Sequence, residues 1–339
     1  MLELLFPIHG PAATLALWFA VGALAGGAAY RWGVWLSPLP AGPEPAQHRS
    51  RWWHQIPLAG YILSGGRSAF RGERLGLCGF LTELGTALVF LAYVFVVAQY
   101  RTPDIPMVYP ATSELWHGRM IYHMALITLL VAATVTDLRD YLVPDAITIP
   151  GMLIGLAAAA ISGHFQIVHL WIDWNAEVPL IGAYIPAWLK AHPHLHGVAW
   201  SAAGLLAGGG IMWVLRFVSS ALLRQQTMGL GDVTLMAMVG SYLGWQPVIF
   251  VFLLAPFCGV SVAVPVRLGT GRSFIPYGPY LAAATVVVLF TWKWLWEPMR
   301  LIFGHMPSLA LLGGVALGGL VVLLVLLRLY RAIPIERVR

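Results

Sequence analysis

Long apolar runs alternate with short polar connections along most of the chain. A helix rises 1.5 Å per residue, so an apolar run of about 20 residues is long enough to cross a hydrocarbon core about 30 Å thick. The pattern predicts nine such runs, of which the sixth is short. It therefore predicts an all-α polytopic transmembrane helix bundle with eight to nine spans. The predicted spans are residues 11–36, 80–100, 118–136, 146–163, 197–218, 232–244, 247–266, 276–293 and 308–328.

The composition supports this class. Of the 339 residues, 59% are hydrophobic and only 10% are charged, whereas a soluble domain carries about a quarter charged residues. The mean hydropathy is +0.77, so we expect membrane lipid to surround most of the chain. The net charge is +6, but the basic residues do not gather on one amphipathic stretch, and we expect no nucleic-acid partner.

The basic residues predict an orientation. If the N-terminus lies outside, fifteen of the twenty Lys and Arg residues fall in cytoplasmic connections or in the C-terminal tail. Cytoplasmic loops of membrane proteins carry such an excess. The distribution predicts an odd number of spans in a multi-pass membrane protein with an external N-terminus.

Two aspartates stand at ends of predicted spans. Asp137 closes the third span, and Asp232 follows Gly229 and Gly231 at the start of the sixth, which places both acids at the cytoplasmic face. Ionisable groups at membrane depth are costly and usually functional. Two adjoining carboxylates would share one proton, so that one could draw a proton from water while the other protonates a peptide carbonyl oxygen. Alternatively, each Asp is only a helix cap or a solvated helix end.

Three short segments of the chain resemble motifs of one family and occur in the same order as in that family. They are TDLRDYLVPDAITIP from Thr136, the Gly229–Asp232 segment GLGD, and IPYGPYL from Ile275. They resemble the first-aspartate block, the GxGD signature and the IPFGP-type turn of the type IV prepilin peptidases, the aspartyl leader peptidases of the A24 family. The resemblance covers roughly residues 118–293.

The resemblance implies roles for particular residues. Asp137 and Asp232 match the catalytic aspartates, Gly229 and Gly231 support the motif, and Asp145 matches a Pro-Asp position that we interpret as a helix cap. The implied substrate is a prepilin or pseudopilin whose leader is cut after a glycine on the cytoplasmic side. Its hydrophobic helix would stay in the bilayer.

The chain divides into three predicted parts. Residues 1–100 form N-terminal spans with a cytoplasmic loop at 37–79, residues 101–293 form the aspartyl peptidase core, and residues 294–339 add a C-terminal span and a basic tail. The loop is similar to the methyltransferase-like loop of the family, but it lacks the family's two CxxC pairs.

The absence of the two CxxC pairs affects which cofactors we expect. Only Cys78 and Cys258 are present, whereas a structural zinc site takes four ligands. We therefore expect no zinc, no other metal and no S-adenosylmethionine, and we do not expect N-methylation of the mature N-terminus. Thr234 and Gln226 replace the family's usual Lys and Glu, which leaves substrate preference open.

Two other functions remain compatible with the sequence. One is a catalytically altered relative that acts as a scaffold, and the other is a proton-coupled transporter that uses Asp137 and Asp232. His192, His194 and His196 form a metal-like cluster by count, but we interpret them as interfacial side chains of an external loop. The sequence does not indicate an oligomeric state.

Overall fold

The computed structural model describes residues 10–37, 58, 76–104, 112–170, 173–178, 182–184, 187–270 and 276–332. These residues are mainly helical. The helices are α1 (Gly10–Leu36), α2 (Gly76–Tyr100), α3 (Ser113–Asp140), α4 (Asp145–Ser162), α5 (Ala187–Ala191), α6 (Pro193–Leu223), α7 (Leu230–Leu243), α8 (Trp245–Thr270), α9 (Gly278–Gly304) and α10 (Met306–Ala332).

The prediction of a polytopic helix bundle is confirmed. Within the described residues, eight helices are long and apolar enough to span a membrane, and α7 stands where the short sixth run was predicted. Helix α9 continues eleven residues past the predicted end, because the helix outlasts the apolar run and passes through Pro298. The sequence did not predict the antiparallel pair of strands β1 (Asp173–Val178) and β2 (Gly182–Tyr184) in the connection before α6.

Helix α3 lies at the centre of the bundle. In its most apolar stretch 67% of the residues are buried, compared with 28% for α1 and 6% for α10. At the end of α3 away from Asp137, Arg119 forms an ion pair with the buried Asp104 and donates a hydrogen bond to the Gln166 carbonyl at 3.2 Å. Charged groups at this depth are stable only when protein partners replace water.

Helix α7 is short and enclosed by protein. Its 14 residues cover only about 21 Å, which is less than the hydrocarbon thickness. Residues 235–243 are all buried. The Tyr122 hydroxyl lies 3.0 Å from the Ser241 carbonyl oxygen, and the Ser201 hydroxyl donates to the same oxygen at 2.6 Å. Side chains of neighbouring helices thus supply hydrogen bonds to the backbone near the end of α7, where a full-length span would reach water.

Glycines allow the neighbours of α7 to approach its backbone. A Cβ at Gly204 or Gly208 of α6 would collide with the carbonyl oxygen of Gly240 or Met236 of α7, respectively. On another side, a Cβ at Gly155 of α4 would collide with the Ser241 hydroxyl. Small residues at helix interfaces are the usual means of close packing in membranes. The position of α7 therefore depends on these glycines.

Most of the predicted loop 37–79 lies outside the described residues, namely residues 38–57 and 59–75, as do residues 333–339 of the predicted basic tail. Residues 76–79 of that prediction belong to α2. Leu58 donates its backbone N–H to the Glu83 carboxylate of α2 at 2.6 Å. The division into three parts at residues 100 and 293 stays a prediction.

We expect Gly204→Ala to destabilise the bundle by about 1–3 kcal/mol, because the added methyl group meets backbone that cannot turn away. Gly314→Ala on α10 is the matched control, since nothing lies within 4 Å of its Cβ position. The midpoint of thermal loss of monodisperse protein in detergent measures the effect. Equal midpoints for the two variants would contradict the close packing of α6 on α7.

Candidate active site

Asp137 lies in the last turn of α3, and its side chain is turned into the protein. The residue is only 5% exposed. One carboxylate oxygen, Oδ2, accepts a hydrogen bond from the backbone N–H of Gly278 at 3.1 Å. Helix α3 ends just after it, where Tyr141 adopts a left-handed backbone (φ 56°) and donates its N–H to the Asp137 carbonyl at 2.9 Å. Asp137 is thus held by the first residue of a helix 141 positions later in the chain.

Asp232 is the third residue of α7 and not its N-cap. Gly229 is the N-cap, and the Asp232 carboxylate accepts a hydrogen bond from the Gly229 backbone N–H. An acidic side chain in this place satisfies a free N–H group and lies at the positive end of the helix dipole. Asp232 therefore has a local structural role as well as a place in the candidate site. It is partly buried.

Two glycines let three chain segments meet beside the aspartates. A Cβ at Gly231 would lie 2.8 Å from the Val143 carbonyl oxygen, and a Cβ at Gly278 would collide with the Asp137 carboxylate. Val143 also lies 3.6 Å from the Gly278 Cβ position. The end of α3 with its following turn, the start of α7 and the start of α9 therefore converge on one point. These are the three segments that carry the motifs.

The acids interact within this convergence. The charge on Asp232 acts electrostatically on Asp137, and it also acts on the Tyr277 phenol in the turn before α9. The sequence identified the turn that contains Tyr277 and Gly278 but assigned no role to either residue. The tertiary structure shows that Gly278 binds Asp137 and that Tyr277 lies within electrostatic range of Asp232. Ile275 of the same motif lies outside the described residues.

The prediction that Asp145 is a helix cap is wrong. The N-cap of α4 is Pro144, which makes no side-chain hydrogen bond, and Asp145 is the first helical residue with an exposed side chain. The backbone after proline enters the helix one residue earlier than the motif suggested. Asp145 still lies at the positive end of the α4 dipole.

The two positions that depart from the family pattern are not part of the convergence. The Thr234 hydroxyl donates to the Gly231 carbonyl at 3.1 Å, within its own helix. Gln226 is exposed in the connection between α6 and α7. Neither side chain touches the described carboxylates through a hydrogen bond, so their effect on substrate preference stays open.

The prediction that the three histidines lie in a loop is wrong for His194 and His196, whereas their place at the membrane interface stays a prediction. His194 and His196 lie in the first turn of α6, after the N-cap His192. The buried His196 accepts the Leu170 N–H at Nε2 (3.0 Å), while His194 Nδ1 lies 3.0 Å from the Ala160 carbonyl. Each ring satisfies a different backbone group. Across the described ranges no group of three or more His, Cys, Asp or Glu residues could hold a metal ion.

Comparisons with known proteins match two regions of the chain. The model of the "Type IV leader peptidase family" matches residues 124–264, and that of the "Bacterial Peptidase A24 N-terminal domain" matches residues 39–97. Together these regions make up more than half of the chain. No solved structure matches.

Similar proteins carry names that agree with these families. The prepilin leader peptidase/N-methyltransferase of Pseudomonas putida is 28% identical over 243 residues, which cover 70% of this chain and 67% of the relative. The protein of the same name from Xanthomonas campestris pv. campestris is 26% identical over 243 residues, 71% of this chain and 68% of the relative. A type 4 prepilin-like proteins leader peptide-processing enzyme of Escherichia coli is 27% identical over 235 residues, 69% of each chain.

Proposed function

Because the chain belongs to the type IV leader peptidase family, and is therefore a peptidase, we propose that it is a membrane-embedded aspartyl endopeptidase. Its substrates are prepilin-like or pseudopilin proteins, from which it removes the leader after a glycine on the cytoplasmic side of the inner membrane. Asp137 and Asp232 are its catalytic pair. The observation that carries this proposal is the convergence of α3, α7 and α9, which brings the two carboxylates within electrostatic range of each other.

The surroundings of the two acids suit shared proton chemistry. Each carboxylate accepts one backbone N–H, from Gly278 for Asp137 and from Gly229 for Asp232. Backbone donors fix the carboxylates without adding a positive charge that would hold both in the ionised form. Two buried acids that repel each other hold one proton between them at neutral pH.

The reaction follows from this single proton. The ionised carboxylate takes a proton from a water molecule as the water oxygen attacks the scissile carbonyl carbon, and the protonated carboxyl gives its proton to the carbonyl oxygen. As the tetrahedral intermediate collapses, the protonated carboxyl gives its proton to the amine nitrogen and one hydroxyl of the intermediate returns a proton to the ionised carboxylate. The C–N bond breaks, the water oxygen stays in the new carboxyl end, and the pair again holds one proton.

The location of the acids supports the substrate class. Both lie at helix ends on the side where, in the predicted orientation, the basic residues concentrate. A substrate with an apolar helix could stay in the bilayer beside the bundle while its leader reaches the dyad. A transporter would favour acids near the membrane centre, whereas these lie in the last turn of α3 and the first turn of α7.

The proposal includes the peptidase step alone. The relatives are named as peptidases and N-methyltransferases, but this chain has two cysteines in all, too few for a four-cysteine zinc site in its first loop. We propose that it acts without zinc and without S-adenosylmethionine.

We expect Asp137→Asn and Asp232→Asn each to lower the rate of leader removal by roughly 10²–10⁴-fold, since either change removes a proton-transfer group. Co-expression with a prepilin, followed by gel detection of the shortened product and rate measurement with purified proteins, tests this. Glu114→Gln is the control, because Glu114 is an exposed acid at the opposite end of α3. Substantial cleavage by either Asp variant would refute the dyad.

We expect Gly278→Ala to lower cleavage at least about tenfold while the protein still inserts and remains monodisperse. The new methyl group would occupy the place of the Asp137 carboxylate, and displacements of about 1 Å can cost 10²-fold in rate. Gly210→Ala on α6, where nothing lies within 4 Å of the Cβ position, is the matched control. Full activity of Gly278→Ala would show that the Gly278 contact does not position Asp137.

A further inference from the structure

The connection between α6 and α7 leads the chain into the turn that contains Asp232. Helix α6 ends at Leu223, Arg224 follows with a left-handed backbone (φ 51°), and Gly229 is the N-cap of α7. Asp232 comes three residues after that N-cap. The path of this short connection therefore determines where the Asp232 carboxylate lies.

Helix packing holds the first turn of α7 on one side only. The glycine contacts from α4 and α6 reach the middle and far part of α7, and residues 235–243 are buried. In the first turn, Gly231 lies against the Val143 carbonyl, but Gly229 and Leu230 are exposed and Asp232 is only partly buried. A further contact is needed to hold the start of the helix in place.

Arg216 of α6 supplies such a contact directly before the N-cap. Its Nε–H donates to the Met228 carbonyl at 3.0 Å. That carbonyl belongs to the same peptide group as the Gly229 N–H, which the Asp232 carboxylate accepts. Hydrogen bonds from charged donors are stronger than those from neutral ones, and Arg216 is half-buried. Arg216 thus fixes the peptide group from which α7 begins.

Two serines on the same face of α6 bind the preceding residue. The Thr227 and Ser219 hydroxyl oxygens lie 2.5 Å apart, and the Thr227 backbone N–H donates to the Ser220 hydroxyl at 3.4 Å. Ser219 donates its own proton to the Leu215 carbonyl at 2.7 Å, so Thr227 is the donor to Ser219. Positions 216, 219 and 220 are neighbours on a helix surface. We call these bonds from α6 to residues 227 and 228 the α6 tether.

We propose that Arg216 is a positioning residue of the peptidase, which holds the start of α7 on α6 and thereby keeps Asp232 in its place in the site. The inference rests on the proposed peptidase function and adds to it a residue outside the motifs. Gln226 and Thr234 do not supply this fixation, because Gln226 is exposed and Thr234 bonds within its own helix.

Other charged and titratable groups occur at the same end of the elements that pack against α7. By element they are Asp137, Arg139, Asp140 and Tyr141 at the end of α3, Asp145 on α4, Arg224 after α6, Arg267 on α8, and Tyr277 and Tyr280 at the start of α9. Substitutions at positions 216 and 227 leave all of these groups in the chain. A substitution at 227 also leaves every charge in place, so it separates displacement of Asp232 from loss of a charge.

The test is leader removal by purified Arg216→Met, with kcat, KM and the pH profile of kcat measured separately. Methionine keeps the length of the side chain and loses the donor. We expect kcat to fall roughly 10–100-fold with KM within about threefold of the parent, because displacements of about 1 Å can cost 10²-fold in rate. The contact of Gly231 with Val143 leaves the released turn free to move only towards its open side.

The shape of the pH profile distinguishes displacement from loss of folded enzyme. Mutual repulsion separates the two titrations of a carboxylate pair, and it weakens as the carboxylates move apart. We therefore expect the acid and base limbs of the Arg216→Met profile to lie closer together by roughly half to one pH unit. A smaller amount of folded enzyme would lower the whole profile without changing its width.

Thr227→Val and Thr227→Ser form a matched pair that changes no charge. Loss of the hydroxyl in Thr227→Val should narrow the profile and lower kcat roughly threefold or more, whereas Thr227→Ser keeps the donor and should stay within about twofold of the parent. Arg224→Met is the control, because it removes an exposed positive charge from the same connection but no bond of the α6 tether. We expect it to match the parent.

Three results would overturn the inference: parent kcat in Arg216→Met, a lower kcat with an unchanged profile width, or equal losses in Arg224→Met. If Arg216→Met does not yield monodisperse protein, the Thr227 pair decides, and equal profiles of its two variants would overturn the role of the tether. Cleavage by Asp232→Asn would instead refute the peptidase proposal itself, so the two failures are distinguishable.

Discussion

The burial of a helix too short to cross a membrane is the constraint on which the site depends. A 14-residue helix in contact with lipid would leave polar backbone ends in hydrocarbon, where each unsatisfied group is costly. Helix α7 avoids this because α4 and α6 enclose it through glycine contacts. Its first turn lies at the edge of the enclosed stretch, where Leu230 is exposed and Asp232, the third residue, is half-buried and interacts with Asp137. The packing that stabilises α7 therefore also positions Asp232 near Asp137.

Backbone groups hold the two carboxylates, so these hydrogen bonds do not depend on which side chains surround them. Gly278 and Gly229 supply the N–H groups, and a backbone donor is retained when neighbouring side chains change. Thr234 bonds within its own helix and Gln226 is exposed. A change from Lys and Glu at these two positions therefore removes charges from the surroundings of the site but leaves the hydrogen bonds to the carboxylates intact.

The sequence predicted the features that depend on local pattern, which are the spans and the motifs. Apolar length predicted the spans, including the short sixth run, because the bilayer imposes the same length on every crossing helix. The order of the motifs predicted that Asp137 and Asp232 belong to one site. The sequence could not predict contacts between distant segments. It gave Asp145 the cap position that Pro144 occupies, and it treated His196 as a loop residue although it bonds the Leu170 N–H in a buried site.

Tyr277 illustrates the same limit at the site itself. Its motif was visible as a turn, but an electrostatic interaction with Asp232 requires the starts of α7 and α9 to come together, and these starts lie 48 positions apart in the chain. The three segments that build the site all lie beyond residue 136, whereas the loop that lacks the CxxC pairs lies before residue 80. The described contact between that loop and the bundle is the Leu58 N–H on Glu83 of α2, not a contact with α7 or α9. The absence of the CxxC pairs from this loop can therefore leave the geometry of the two acids intact, because no described contact that holds Asp137 or Asp232 comes from the loop.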